Sequence, residues 1–115
     1  MSIKRYEVGP YLSGASAHDG IVYLAGLAAD DLTQDIRGQT KQTLANIDRV
    51  LAQADSDKSK LLRVEVWLAD ISNFDSMNEV YQAWLDPENI PARVCVESRL
   101  WDDAAQVEIM VTAVV

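Results

Sequence analysis

Sulfur and imidazole are scarce in this chain: its 115 residues include one cysteine, Cys95, and one histidine, His18. A lone cysteine excludes an internal disulfide and suits a reducing cytoplasm. One imidazole and one thiol are too few for a zinc-type centre, so no metal is expected, although counting alone leaves an all-carboxylate site open. The five glycines, Gly9, Gly14, Gly20, Gly26 and Gly38, are spaced as turn residues. They form no phosphate-cradling loop or dinucleotide fingerprint, so no organic cofactor is expected either. No GxSxG and no Ser-His-Asp spacing is present. Positive charge is also short. Ten Lys and Arg stand against eighteen Asp and Glu, a net charge of -8. That balance repels a phosphate backbone and predicts no nucleic-acid partner. No apolar run nears the roughly 20 residues of a membrane span, and no apolar stretch follows the charges of Met1–Tyr6. The expectation is a cytoplasmic protein with neither signal peptide nor membrane contact.

What is present fits one domain over residues 1–115, large enough for a single core. Residues 3–8 alternate as an edge strand, and Gly9-Pro10 breaks the pattern. Residues 11–16 read as a second short strand. The Asp19-Gly20 pair after His18 signals a tight turn, and residues 21–25 a third strand, stopped by Gly26. Between Asp35 and Ala54 the period changes. Ile36, Thr40, Thr43, Leu44, Ile47, Val50, Leu51 and Ala54 recur at three- and four-residue steps, as on an amphipathic helix, with Gln39, Gln42, Asp48, Arg49 and Gln53 on its other faces. The helix is expected to begin after Gly38. Residues 55–59 read as a loop and residues 62–68 as a half-buried strand. Ser72 or Asn73 caps a second helix whose apolar face is Phe74, Met77, Tyr81, Trp84 and Leu85, and Pro87 stops it. Residues 92–99 and 106–115 are the last strands, joined by residues 100–105.

The order β-β-β-α-β-α-β-β predicts an α+β fold, a mixed sheet with two helices packed on one face. The last strand is apolar on both sides: Val107, Ile109, Val111 and Ala113 on one, Met110, Val114 and more weakly Thr112 on the other. Trp67 and Cys95 are likewise expected opposite their strands' main apolar sets. Two helices cover one face only, so self-association is expected to cover the second.

Most polar residues read as structural. Cys95, flanked by Val94 and Val96, reads as an inert thiol, and His18 as a turn residue. Trp67, Trp84 and Trp101 read as core or interface, and Asp102-Asp103 as a solvated turn. Arg93 and Glu108 carry more chemistry. An arginine fork holds a carboxylate by two parallel hydrogen bonds, and a glutamate nearby can move a proton or hold a water. If the last two strands pair odd-numbered with even-numbered positions, Arg93 and Glu108 share a face; a one-residue slip separates them.

The segment Pro91-Ala92-Arg93-Val94-Cys95-Val96-Glu97, followed by Val107-Glu108-Ile109, resembles the C-terminal signature of the Rid/YjgF family of reactive-intermediate deaminases. Gly9-Pro10-Tyr11, Gly26, the run from Gln39-Thr40 to Asn46-Ile47, and Asn78-Glu79-Val80-Tyr81 resemble other family segments in the same order. The resemblance implies a chorismate-mutase-like fold, a homotrimer with clefts between subunits, and cofactor-free hydrolysis of small-molecule 2-imino acids or enamines to 2-oxo acids and ammonia. It implies that Arg93 holds the substrate carboxylate and that Glu108 serves the attacking water. Cys95 would contribute main-chain groups, and Tyr11 would line the cleft from a neighbour. The alternative is a non-catalytic trimer that binds small carboxylic acids such as 2-oxo acids. The chain departs from the family pattern at Ala25, where many members have serine, in the loop 27–34, and at Leu100-Trp101, where Leu-Pro is common. Those changes bear on substrate range.

Overall fold

Asp19 and Gly20 both take positive φ, 52° and 79°. That is the backbone of a two-residue hairpin turn whose twist matches its strands. It pairs β2 (Ser13–His18) with β3 (Ile21–Leu24), His18 facing Ile21 and Ala17 facing Val22. β2 therefore starts two residues later than the sequence suggests. Residues 9–12 form a turn instead, closed by the Gly9 N–H donating to the Leu12 carbonyl at 2.8 Å. β1 (Lys4–Val8) pairs with β2. A computed structural model describes residues 2–115; Met1, where the N-terminal reading begins, lies outside them.

α1 (Ile36–Gln53) is capped by Asp35, whose carboxylate accepts from the Gly38 N–H at 2.9 Å. Gly38 thus lies inside the first turn, not before the helix. A β-carbon there would stand 2.8 Å from Gln34 Cβ, so the glycine admits the preceding loop. Gln39, expected on a polar face, is fully buried. Its Nε2 donates to the carbonyls of Leu32, Gln34 and Ala104 at 3.2, 3.0 and 2.9 Å, and its Oε1 accepts from the Gln106 N–H at 2.9 Å. One amide thereby ties the start of α1 to the loop before the last strand.

β4 (Leu61–Leu68) follows a 3₁₀ turn at Lys58–Lys60, and a second 3₁₀ turn, Ile71–Asn73, leads into α2 (Phe74–Trp84). The expected cap at Ser72 or Asn73 is not made. Asn73 occupies the N-cap position without a side-chain bond, and Asp70 caps the 3₁₀ turn through the Ser72 N–H.

β5 (Ala92–Glu97) and β6 (Val107–Val114) complete a six-stranded sheet in the order β1-β2-β3-β6-β4-β5. The last two strands form no hairpin: β4 lies between them, parallel to β5 and antiparallel to β6. Both helices pack on one face, making the expected α+β fold. Leu44, Ile47, Val50 and Leu51 of α1 close over Val64, Val66 and Leu68 of β4 and Val107, Ile109 and Val111 of β6, each nearly solvent-free. Trp67 lies on the open face, as expected. Cys95 does not: β5 sets it opposite Val66, on the helix side, packed against the core. The parallel register turns the more apolar set of β5 outward, so Val94 and Val96 stay 43% and 42% exposed beside Trp67 and Met110.

Candidate active site

Arg93 stands at the second position of β5, the edge strand, opposite Val64 of β4. Directly paired residues point to the same side of a sheet. Val64 is buried under the helices, so Arg93 also points toward them. Its guanidinium meets α2: Nη1 donates to Asn78 Oδ1 at 2.6 Å, and Cζ lies 4.9 Å from the Tyr81 ring centre and 5.4 Å from that of Phe74. Aromatic faces attract the cation without neutralising it. No carboxylate among the described residues forms an ion pair with it. Arg93 and Asn78 line a cavity of about 370 Å³ with Tyr81, Gln82, Leu85, Ile90 and Pro91.

Glu108 lies elsewhere. It pairs with Trp67 of β4, which pairs with Val96 of β5, and this row faces away from the helices. With Trp67, Ser98, Arg99, Leu100 and Trp101 it lines a cavity of about 210 Å³. Burial raises the pKa of its carboxyl, and no nearby cation offsets this. Gly26 sits against that carboxyl: a β-carbon there would lie 3.0 Å from Glu108 Cδ and collide with Oε2. The backbone exchange between Leu27 and Ile109, 2.8 and 2.9 Å, holds Gly26 in this place.

Arg93 and Glu108 therefore occupy opposite faces of the sheet, and neither the shared face nor a surface ion pair between them forms. The reason is topological. Inserting β4 aligns Arg93 with Val64 and Val111, and Glu108 with Trp67 and Val96. Cys95 stays on the Arg93 side. Burial raises its thiol pKa and the Arg93 charge opposes this, so the thiol is not activated. Tyr11 is 96% exposed on the turn between β1 and β2 and lines neither cavity. Sequence reading from the residues alone gave Asn78 no role at Arg93, though Phe74, Asn78 and Tyr81 stand at helical steps of four and three, a spacing that puts them on one face. No group of three or more His, Cys, Asp and Glu suited to a metal ion lies among the described residues. None of their helices is long and apolar enough to cross a membrane.

This architecture is a mixed sheet backed by two helices, with its two candidate groups on opposite sides. The family model described as Endoribonuclease L-PSP matches residues 3–115. A RutC family protein of Haemophilus ducreyi is 36% identical over 113 residues, covering 98% of this chain and 97% of its own. The crystal structure of a YjgF-family member from Neisseria meningitidis superposes with a TM-score of 0.96 at 37% identity, over 99% of this chain and 95% of that one. A Yersinia pestis structure of the conserved Rid protein family gives 0.91 at 34% identity, over 99% and 100%. The chain belongs to the YjgF/Rid family.

Proposed function

We propose that this protein hydrolyses 2-imino acids, or their enamine tautomers, to 2-oxo acids and ammonia, in a homotrimer whose site is shared between copies. The observation that carries this reading is the separation of the two groups. One chain presents a charge-bearing arginine on one side of its sheet and a desolvated carboxyl on the other, so one small substrate meets both only where two copies join. The uncovered open face, with Tyr23, Val94 and Val96 exposed, supplies apolar surface for that contact. Tyr11, standing free on its turn, would close the cleft from a neighbour, and Cys95 would line it through its main chain.

The chemistry suits these groups. An iminium carbon is already electrophilic, so the reaction needs an oriented substrate and a placed water. Arg93 of one copy holds the carboxylate. Glu108 of another takes a proton from the water as its oxygen bonds to the imine carbon. That proton passes to nitrogen. Glu108 then takes the remaining hydroxyl proton as the C–N bond breaks, the carbonyl forms and ammonia leaves, and it passes this second proton to the departing ammonia, which restores the carboxylate. A carboxyl with a raised pKa serves both transfers better than an ordinary one. The word endoribonuclease in the family description fits this chain less well, because a net charge of -8 opposes RNA binding.

The test is complementation. Arg93→Ala and Glu108→Gln are each expected to lose imine hydrolysis, followed as ammonia release from imines made by an amino-acid oxidase. Unfolded, mixed in equal amounts and refolded, they should regain about a quarter of wild-type activity, since about one site in four then combines an intact Arg93 with an intact Glu108. No recovery in mixed trimers, or a wild-type protein that sediments as a 12.7 kDa monomer, rejects the shared site. A second reading, a trimer that only binds 2-oxo acids, draws on the Arg93 cavity being built without Glu108. It predicts 2-oxo acid binding with no acceleration of imine hydrolysis.

A further inference from the structure

Holding an arginine with an amide differs from holding it with a carboxylate. A carboxylate would tie the edge strand to the helix more tightly, but it would also cancel the charge. Here α2 offers Arg93 two ring faces and one amide oxygen, at 4.9, 5.4 and 2.6 Å. The guanidinium is oriented and keeps its full charge for an incoming anion. The chain is rich in acids, with eighteen Asp and Glu, yet none pairs with this arginine among the described residues.

The amide has a second end. A guanidinium carries only donors, so the atom of Asn78 that meets it must be the oxygen. The NH2 group then stands at the opposite corner of the same plane. It makes no hydrogen bond to a described residue, it is not among the buried unpartnered atoms, and Asn78 lines the cavity beside Arg93. A carboxylate gripped by an arginine fork retains lone pairs for a further donor.

We infer that Asn78 is a positioning residue for Arg93 and that its amide NH2 is a second donor to the same substrate carboxylate. This rests on the reading of Arg93 as the carboxylate anchor. It identifies the α2 side of the cleft as an anion cradle in which Phe74 and Tyr81 set the plane of the guanidinium and Asn78 sets its rotation within that plane. The carboxylate is bound alike before and during the reaction, so the contribution belongs to affinity: KM rises and kcat holds when Asn78 is lost.

Asn78→Asp separates this role from a merely structural one. Aspartate still accepts from Arg93 and ties strand to helix at least as well, but it neutralises the guanidinium, removes the NH2 donors and repels an anion. Binding of 2-oxobutanoate to the intact assembled protein, followed by calorimetry, should weaken at least about tenfold in Asn78→Asp, with the melting temperature held or raised. Asn78→Ala should also bind more weakly, with KM up and kcat near wild type. A structural tie predicts the reverse: wild-type affinity in Asn78→Asp and a lowered melting temperature alone in Asn78→Ala. Either of those results overturns the inference. Arg93→Ala keeps the two failures apart. If it binds 2-oxobutanoate like wild type, the anchor reading itself falls. If it loses binding while Asn78→Asp keeps it, only the role of Asn78 falls.

Discussion

The two sides of the sheet treat their polar groups in opposite ways. On the helix side, Arg93 is a charged group given partners that leave it charged: an amide oxygen and two ring faces. On the open side, Glu108 is a group whose charge is disfavoured, half-buried between Trp67, Trp101 and Gly26 with no cation to stabilise it. In the proposed reaction the first side receives an anion and the second trades a proton. A substrate bearing a carboxylate and a hydrolysable C=N bond needs both, and a single sheet keeps them apart.

The sharpest attempt to break this comparison is Arg93→Lys. Lysine keeps the charge and loses the fork, so it should lower kcat/KM for imine hydrolysis by roughly 10- to 150-fold. Activity within twofold of wild type would show that charge alone suffices on the helix side. Gly26→Ala attacks the other side. The new methyl must displace the Glu108 carboxyl, and turnover should fall about tenfold while 2-oxo acid affinity changes little. Equal losses in turnover and affinity would mean that the two sides do not divide the work as described.

Gln39→Leu probes the frame that holds the loop beside Glu108. It leaves three carbonyls and the Gln106 N–H without their side-chain partner, at a cost of about 2–3 kcal/mol, read as a lower urea midpoint with unchanged slope. A change below about 0.5 kcal/mol would show that water replaces the amide there.

A smaller effect concerns pH. A carboxyl whose folded pKa is raised favours the folded state most when protonated. Its contribution is full below the unfolded value, about 4.3, and is lost as pH rises through the folded value. Glu108→Gln should therefore melt higher than wild type near neutral pH, with the gap closing in acid. A gap that is absent at neutral pH but appears in an Arg93→Ala background would show the Arg93 of another copy neutralising Glu108 in the assembly, and would sharpen the shared-site reading. The smallest effect is expected from Cys95→Ser, whose unactivated thiol has no step to perform: imine hydrolysis should stay within about threefold of wild type. Complete loss with the fold intact would place the thiol itself in the chemistry.

Local pattern carried much of the architecture. The helical period of residues 36–54, the Asp19-Gly20 turn and the alternating apolar strands name their elements because each is fixed by neighbours within a few residues. The same alternation identified an uncovered face, since periodicity says which residues share a side. Motif residues pointed to Arg93 and Glu108 and to the family. What the sequence left open was long-range. Whether Arg93 and Glu108 share a face depends on which strand lies between them, and that is decided by packing of the whole sheet, with β4 inserted between β5 and β6. Cys95 faced inward for the same reason, against the local apolar pattern of its strand. Gln39 was hidden because a buried amide is tolerable only when distant backbone groups converge on it, here from residues 32, 34, 104 and 106. Sequence by itself determined the elements and the chemical groups, because propensity and periodicity are local. Tertiary structure alone decided which side of the sheet each group serves, because strand order joins residues that no local rule connects.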